Sequence, residues 1–137
     1  MKIIELNAGL LSNHEVAQVL QERGADPSAG LNTRAKASEK TVYEYLVSQA
    51  GGIKARQELQ ALIDELKPFG LTRAELVQVL NLAPASAVEV HLIVEDCEER
   101  LDEARVEALI AVVGRYLARP AADAAAAAAA DGDAMQE

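Results

Sequence analysis

The stretch Leu71–Leu117, LTRAELVQVLNLAPASAVEVHLIVEDCEERLDEARVEALIAVVGRYL, decides the fold of this 137-residue chain. Thr72 followed three residues on by Glu75, and Ser86 followed by Glu89, are capping boxes. In such a box the hydroxyl and the carboxylate each satisfy a backbone N–H that a helix start leaves open. Asp102 is a further cap, with Arg105 where a box would place Glu or Gln. Behind these caps run apolar residues at helical spacing: Leu76, Val79 and Leu80; then Val90, Ile93, Val94, Cys97 and Leu101; then Val106, Leu109, Ile110, Val113 and Leu117. Pro84 disfavours helix in the residue before it, so Asn81–Pro84 separates the first helix from the second. The expectation is three helices, the middle one continuous from Ser86 to Leu101, packed along their stripes.

Upstream, Ile53–Lys67 reads as a helix burying Leu59, Leu62, Ile63 and Leu66, closed by Pro68 and Gly70. Before it, Glu39–Gln49 carries Val42, Tyr45 and Leu46 on one face and Tyr43 and Val47 on another, which implies deep burial or a second contact; Gly51-Gly52 ends it. Nearer the N-terminus, Ser12 and Glu15 form a capping box for a helix of about ten residues with Val16, Val19 and Leu20 as its stripe and Gly24 as its stop. A helix that short is marginal alone and needs a surface from this chain or from a partner. Residues 3–6 (IIEL) are either a frayed end or a strand, and a lone strand would add to another chain's sheet.

Residues 25–38, rich in Pro, Gly, Ser and Asn, read as a linker, and residues 120–137 as an Ala-rich, acidic, disordered tail. The expected organisation is therefore a docking segment over 1–24, the linker, an all-α helical bundle over 39–119, and the tail. Aliphatic side chains dominate the apolar half of the composition and there is no Trp, which suits helices better than a sandwich or barrel.

Charge and motifs narrow the chemistry. A net charge of -9 argues against wholesale coating of nucleic acid. Arg34, Lys36, Lys40, Lys54 and Arg56 still form a basic region that could touch phosphate weakly and without sequence preference. The lone Cys97 falls on a buried stripe and reads as a small core hydrophobe in a reducing compartment. His14 and His91 offer no metal-ligand spacing, and His91 reads as solvated. The acidic cluster Glu95, Asp96, Glu98, Glu99, Asp102 and Glu103, with Arg100 and Arg105 among it, reads as a solvated helix face or a contact for a basic partner. There is no phosphate-binding glycine loop, nucleophile elbow or HExxH motif. No catalytic residue, metal, cofactor, small-molecule substrate or membrane span is expected.

Two segments carry a resemblance. In Leu71–Leu101 the matching parts are Leu71-Thr72, Ala74-Glu75, Gln78, Leu80-Asn81, Pro84, Ala87-Val88-Glu89, Leu92, Val94-Glu95 and Glu98-Glu99-Arg100-Leu101, continued by Glu107-Ala108-Leu109. The second is NAGLLSNHEV, Asn7–Val16. Together they resemble the small stalk subunits of eukaryotic RNA polymerase III, also called the calcitonin gene-related peptide receptor component protein family, with the small stalk protein of archaeal RNA polymerase a more distant relative. Arg105 departs from the family's usual cap position, and the linker and tail show no likeness.

The resemblance implies a bundle of the helicase-associated (HRDC-like) type in a nuclear, non-catalytic subunit. Its partners would be the OB-fold stalk subunit and the polymerase core, with RNA or initiation factors as further contacts. The role implied is initiation at transfer RNA and 5S ribosomal RNA genes. Leu10, Leu11, Val16 and Leu20 are then the expected anchors on the OB-fold partner. A phosphate-binding module is the second reading, and an accessory component of a peptide-hormone receptor ranks below both.

Overall fold

Seven helices form among the described residues, 2–30, 33–49 and 54–117, of the computed structural model. They are α1 (Asn13–Glu22), α2 (Ala37–Ser48), α3 (Arg56–Leu66), α4 (Arg73–Leu82), α5 (Ala87–Ile93), α6 (Cys97–Arg100) and α7 (Glu103–Tyr116). The described residues contain no strand, and residues 2–11 run without regular structure into the α1 cap. The Gly51-Gly52 stop and the tail lie outside the described residues.

The caps set the helix starts as their chemistry requires. Ser12, Thr72 and Ser86 each accept from the backbone N–H three residues on, and Glu15, Glu75 and Glu89 each reach back to the cap's own N–H. Asp102 caps α7 by accepting from the Arg105 N–H at 2.8 Å. Helix α1 stops in the manner Gly24 foretells. Gly24 sits at φ +85, its N–H donates to Gln21 O, and the Ala25 N–H donates to Leu20 O. This double closure satisfies two carbonyls the helix end leaves open and calls for a left-handed residue. A Cβ on Gly24 would also come within 2.8 Å of the Thr33 Cβ.

The core lies inside α3–α7. Leu59, Leu62 and Leu66 of α3 and Val106, Leu109 and Val113 of α7 are buried against one another, with Val79, Leu80, Val90, Val94, Cys97, Leu101 and Leu117 completing the cluster. Each fully buried Leu or Val contributes about 1.5–3 kcal/mol relative to exposure. After α3, a single 3-10 turn over Lys67–Phe69 and a left-handed Gly70 swing the chain into α4. Helix α4 ends at Ala83, left-handed at φ 45, just before the buried Pro84.

The stripe Val90–Leu101 is buried as its spacing implies, but it does not lie on one helix. The chain leaves α5 at Val94, extended at φ -89 and ψ 121, turns through Asp96 at φ 48, and restarts as the four-residue α6. The physical reason is one carboxylate. The Glu75 Oε1 accepts from the Glu95 N–H at 3.0 Å and from an Arg100 guanidinium N–H at 2.6 Å. The Glu75 Oε2 accepts from the Thr72 N–H at 2.7 Å and from the other arm of Arg100 at 3.1 Å. Arg100 also donates to the carbonyls of Glu95 and Gly70. A continuous helix would spend the Glu95 N–H on its own ladder; here that donor satisfies a buried acid instead. Arg105 extends the seam, donating to Pro68 O at 2.7 Å with its guanidinium 5.8 Å from the Phe69 ring centre. Arg100 and Arg105 are thus structural joints and not part of a solvated face.

Candidate partner-docking surface

Helices α1 and α2 pack on each other, and α1 also touches α4. The side chains that seat α1 differ from the expected stripe. His14 and Ala17 are buried, Val16 and Leu20 are half-buried, and Val19 faces out. In an α1 whose phase is set by the Ser12 cap, His14 and Ala17 are one turn apart on the inward side.

The His14 ring clamps α1 to the bundle. Its Nε2 lies 3.1 Å from the Leu80 carbonyl and its Nδ1 accepts from the Lys54 N–H at 3.4 Å. Both contacts together require the neutral ring with the proton on Nε2. Leu80 belongs to the last turn of α4, and its carbonyl lacks a helical donor because the residue four on is Pro84, which has no N–H. Beside this clamp, the Asn13 N–H donates to the Asn81 Oδ1 at 2.8 Å. Burial pushes the His14 pKa below its ordinary value, the Leu80 contact opposing and nearby Lys54 reinforcing that shift. The sequence signal for this role was slight: His14 lies inside the NAGLLSNHEV match, but no spacing rule marks a histidine as a core joint.

What the clamp holds in place is an apolar arm. Ile4 and Leu6 are 95% and 92% exposed, and Ile3, Leu10 and Leu11 are also exposed. Helix α2 buries only Tyr43; Val42, Tyr45 and Val47 lie open, so its apolar residues are not deeply buried within the described residues. Between α1 and α2 opens a shallow groove of about 420 Å³ whose apolar lining includes Tyr43 and Val47. Exposed apolar groups gathered on an arm and the helix pair it leads into are the signature of a surface built to be covered. Of the four expected anchors, Leu10 and Leu11 are freely presented, whereas Val16 and Leu20 are partly spent on α1's own seat.

The five basic residues come from two places. Arg34, Lys36 and Lys40 surround the start of α2, where the Lys36 N–H donates to the Glu39 carboxylate; Lys54 and Arg56 lead into α3. None of the five side chains is in an ion pair among the described residues. His91 is exposed on α5, and Cys97 is buried with its thiol pKa pushed up by burial. Among the described residues no group of three or more His, Cys, Asp or Glu could hold a metal ion, and no helix is long and apolar enough to cross a membrane.

The described residues thus define a class by shape: a closed helical bundle with an exposed apolar arm leading into the helix clamped at one end. Residues 10–117 match the family model for RNA polymerase Rpb4, and the chain belongs to that family. It is 32% identical over 114 residues to DNA-directed RNA polymerase III subunit rpc9 of Dictyostelium discoideum, covering 77% of this chain and 85% of that one. The subunit of the same name in Schizosaccharomyces pombe is 29% identical over 122 residues, 80% of this chain and 94% of that one. A shorter match, 36% over 55 residues, is to subunit RPC9 of Saccharomyces cerevisiae, covering 40% of this chain and 34% of that one.

Proposed function

We propose that this chain is the small, non-catalytic stalk subunit of a nuclear DNA-directed RNA polymerase III. It pairs with the OB-fold stalk subunit and supports initiation at transfer RNA and 5S ribosomal RNA genes. The observation that carries this reading is the exposed apolar arm, Ile3–Leu11, fixed by the His14 clamp in a chain that covers most of a polymerase III subunit's length. The segment 1–24 docks and residues 25–38 connect; α2, expected in the bundle over 39–119, packs on α1 and stands on the docking side, so α3–α7 is the load the stalk carries, and the expected tail over 120–137 lies outside the described residues. The anchors are Leu10, Leu11, Val16 and Leu20.

The test separates docking from folding. Changing Leu10 and Leu11 together to Asp alters only exposed side chains, so the bundle folds as before and the variant no longer co-purifies with the OB-fold subunit. Undiminished co-purification would refute the arm as the anchor. Adding Val16→Asp enlarges the loss but also disturbs α1's seat, so the arm variant is the cleaner one.

A second reading, phosphate contact through Arg34, Lys36, Lys40, Lys54 and Arg56, is favoured by the absence of ion pairs on these side chains among the described residues. Salt-sensitive RNA binding by the isolated chain, weakened by reversing Lys36 and Arg56, supports it; no binding at low salt removes it.

A further inference from the structure

The bundle leaves one apolar feature uncovered, far in sequence from the arm. Between residues 54 and 117 the large apolar side chains that stay exposed are Leu82, Val88 and Leu92, and the last two stand one turn apart on α5. Val88 is 69% and Leu92 82% exposed, although the same short helix buries Val90 and half-buries Ile93. Helix α5 is therefore apolar on its inner side and on an outer ridge as well. Beside that ridge, Ala87 and His91 form one wall of an open groove of about 360 Å³ between α5 and α7. Its floor includes the buried Leu101 and Val106, and its far rim is acidic: Glu98, Glu103 and Glu107.

The charge on that rim says what kind of partner fits. Glu98, Glu103 and Glu107 are exposed and in no ion pair among the described residues. Glu103 and Glu107 stand four apart on α7, where like charges repel. Arg105, which lies between them in sequence, is turned away to Pro68 O and the Phe69 ring. A polyanion is repelled here, which excludes RNA, DNA and an anionic membrane surface. A cation placed along the rim relieves the repulsion, and an apolar side chain beside it covers Val88 and Leu92.

We infer that the α5–α7 groove is a second protein-docking surface, whose occupant is a basic amphipathic helical segment of another protein. The occupant lays an apolar stripe against Val88, Leu92 and the groove floor, with Lys or Arg on the flank that meets Glu98, Glu103 and Glu107. This surface is independent of the arm at Leu10 and Leu11. A chain so built bridges two proteins, one held by its N-terminal arm and one by the bundle.

The test uses the full chain, isotope-labelled for amide NMR, and a synthetic helical peptide of about 18 residues with Leu at i, i+3, i+4 and i+7 and Lys elsewhere. Addition of this peptide shifts the amides of Val88, His91, Leu92, Glu103 and Glu107, and a Leu/Glu peptide of the same spacing shifts none of them. The double variant Val88→Gln, Leu92→Gln and the double variant Glu103→Lys, Glu107→Lys each weaken the Leu/Lys peptide by about ten-fold. The first retains the wild-type melting curve, since both side chains are exposed; the second loses the acid in the first turn of α7 and is titrated at a temperature where its own melting curve shows it folded. Wild-type affinity in either variant, equal binding of the Leu/Glu peptide, or shifts confined to α1, α2 or the arm would each overturn the inference. So would a single-stranded RNA that shifts the same amides. Loss of this groove leaves co-purification through Leu10 and Leu11 intact, so the two surfaces fail separately.

Discussion

The α3–α7 bundle and the α1–α2 pair are both built from short capped helices with apolar residues at helical spacing, yet only the bundle closes over its own stripes. In the bundle, α3 and α7 bury Leu62 and Leu109 completely, and Glu75 has its backbone and guanidinium donors supplied from Thr72, Glu95 and Arg100. In the pair, His14, Ala17 and Tyr43 are the buried side chains on helices, while Val19, Val42, Tyr45 and Val47 face outward. A sequence stripe therefore says that a face will be covered, and says nothing of whose surface covers it. The two regions also rest on different joints: the bundle on an ion pair, the pair on a neutral imidazole. That difference makes them separable by mutation and by pH.

The largest effect belongs to the bundle's joint. Arg100→Met leaves the Glu75 carboxylate buried without its cation, and breaking such a pair from one side costs about 3 kcal/mol, the low end because Arg100 is itself partly exposed. The measurement is the urea midpoint; a loss under about 1 kcal/mol would mean that packing of Val94 and Cys97 alone holds the α5–α6 break. The same pair sets the bundle's acid limit. The Arg100 guanidinium and the Thr72 and Glu95 N–H groups hold the Glu75 carboxyl at about 2, against an ordinary value of 4.5. A lowered carboxyl stabilises fully above its unfolded value, so this contribution is present above pH 4.5 and is lost as pH falls from there through about 2.

A smaller and earlier effect belongs to the α1 joint. His14 has a folded pKa below 6.5, so the unfolded chain takes up the proton more readily. The seat of α1 is at full strength above pH 6.5 and weakens as pH falls below it, because a protonated Nδ1 no longer accepts from Lys54. Amide exchange at Lys54 and along α1 should accelerate in this range while α3 and α7 stay protected, and His14→Phe should remove the pH dependence. Acceleration of all helices together would mean that the two regions open as one unit.

The smallest effect sharpens the contrast from the other side. Leu10→Asp with Leu11→Asp should leave the urea midpoint within about 0.5 kcal/mol of wild type, since both side chains are exposed. A larger loss would show that the arm packs on its own chain and is not held out for another.

Much of this architecture was legible in the sequence, because caps and stops are local chemistry. Ser12–Glu15, Thr72–Glu75, Ser86–Glu89 and Asp102 each start a helix where their spacing places them, and Gly24, Gly70 and Pro84 stand at the ends. The break at Val94–Asp96 was not legible. The stripe Val90, Val94, Cys97 and Leu101 keeps its helical spacing, and the break depends on Glu75, which lies 20 residues before Glu95 and 25 before Arg100. The same holds for His14, whose partner Leu80 is 66 residues away. Nothing local distinguishes a histidine or arginine that will meet a distant carbonyl or carboxylate from one that will meet water. The exposed arm was legible as apolar residues without a partner strand; which side chains of α1 itself face inward, His14 and Ala17 and not Val19, was decided by the phase of that helix.

Those sequence distances also imply an order in time. The Glu75–Arg100 join closes a loop of 25 residues and the His14–Leu80 join one of 66, so the first costs less chain entropy to make. On the ribosome, α1 is made long before Leu80 exists, and its clamp cannot form until α4 has been synthesised and folded. The arm therefore waits, apolar and unseated, through most of the chain's synthesis. A partner already at hand while the chain is being made would meet it at its most exposed.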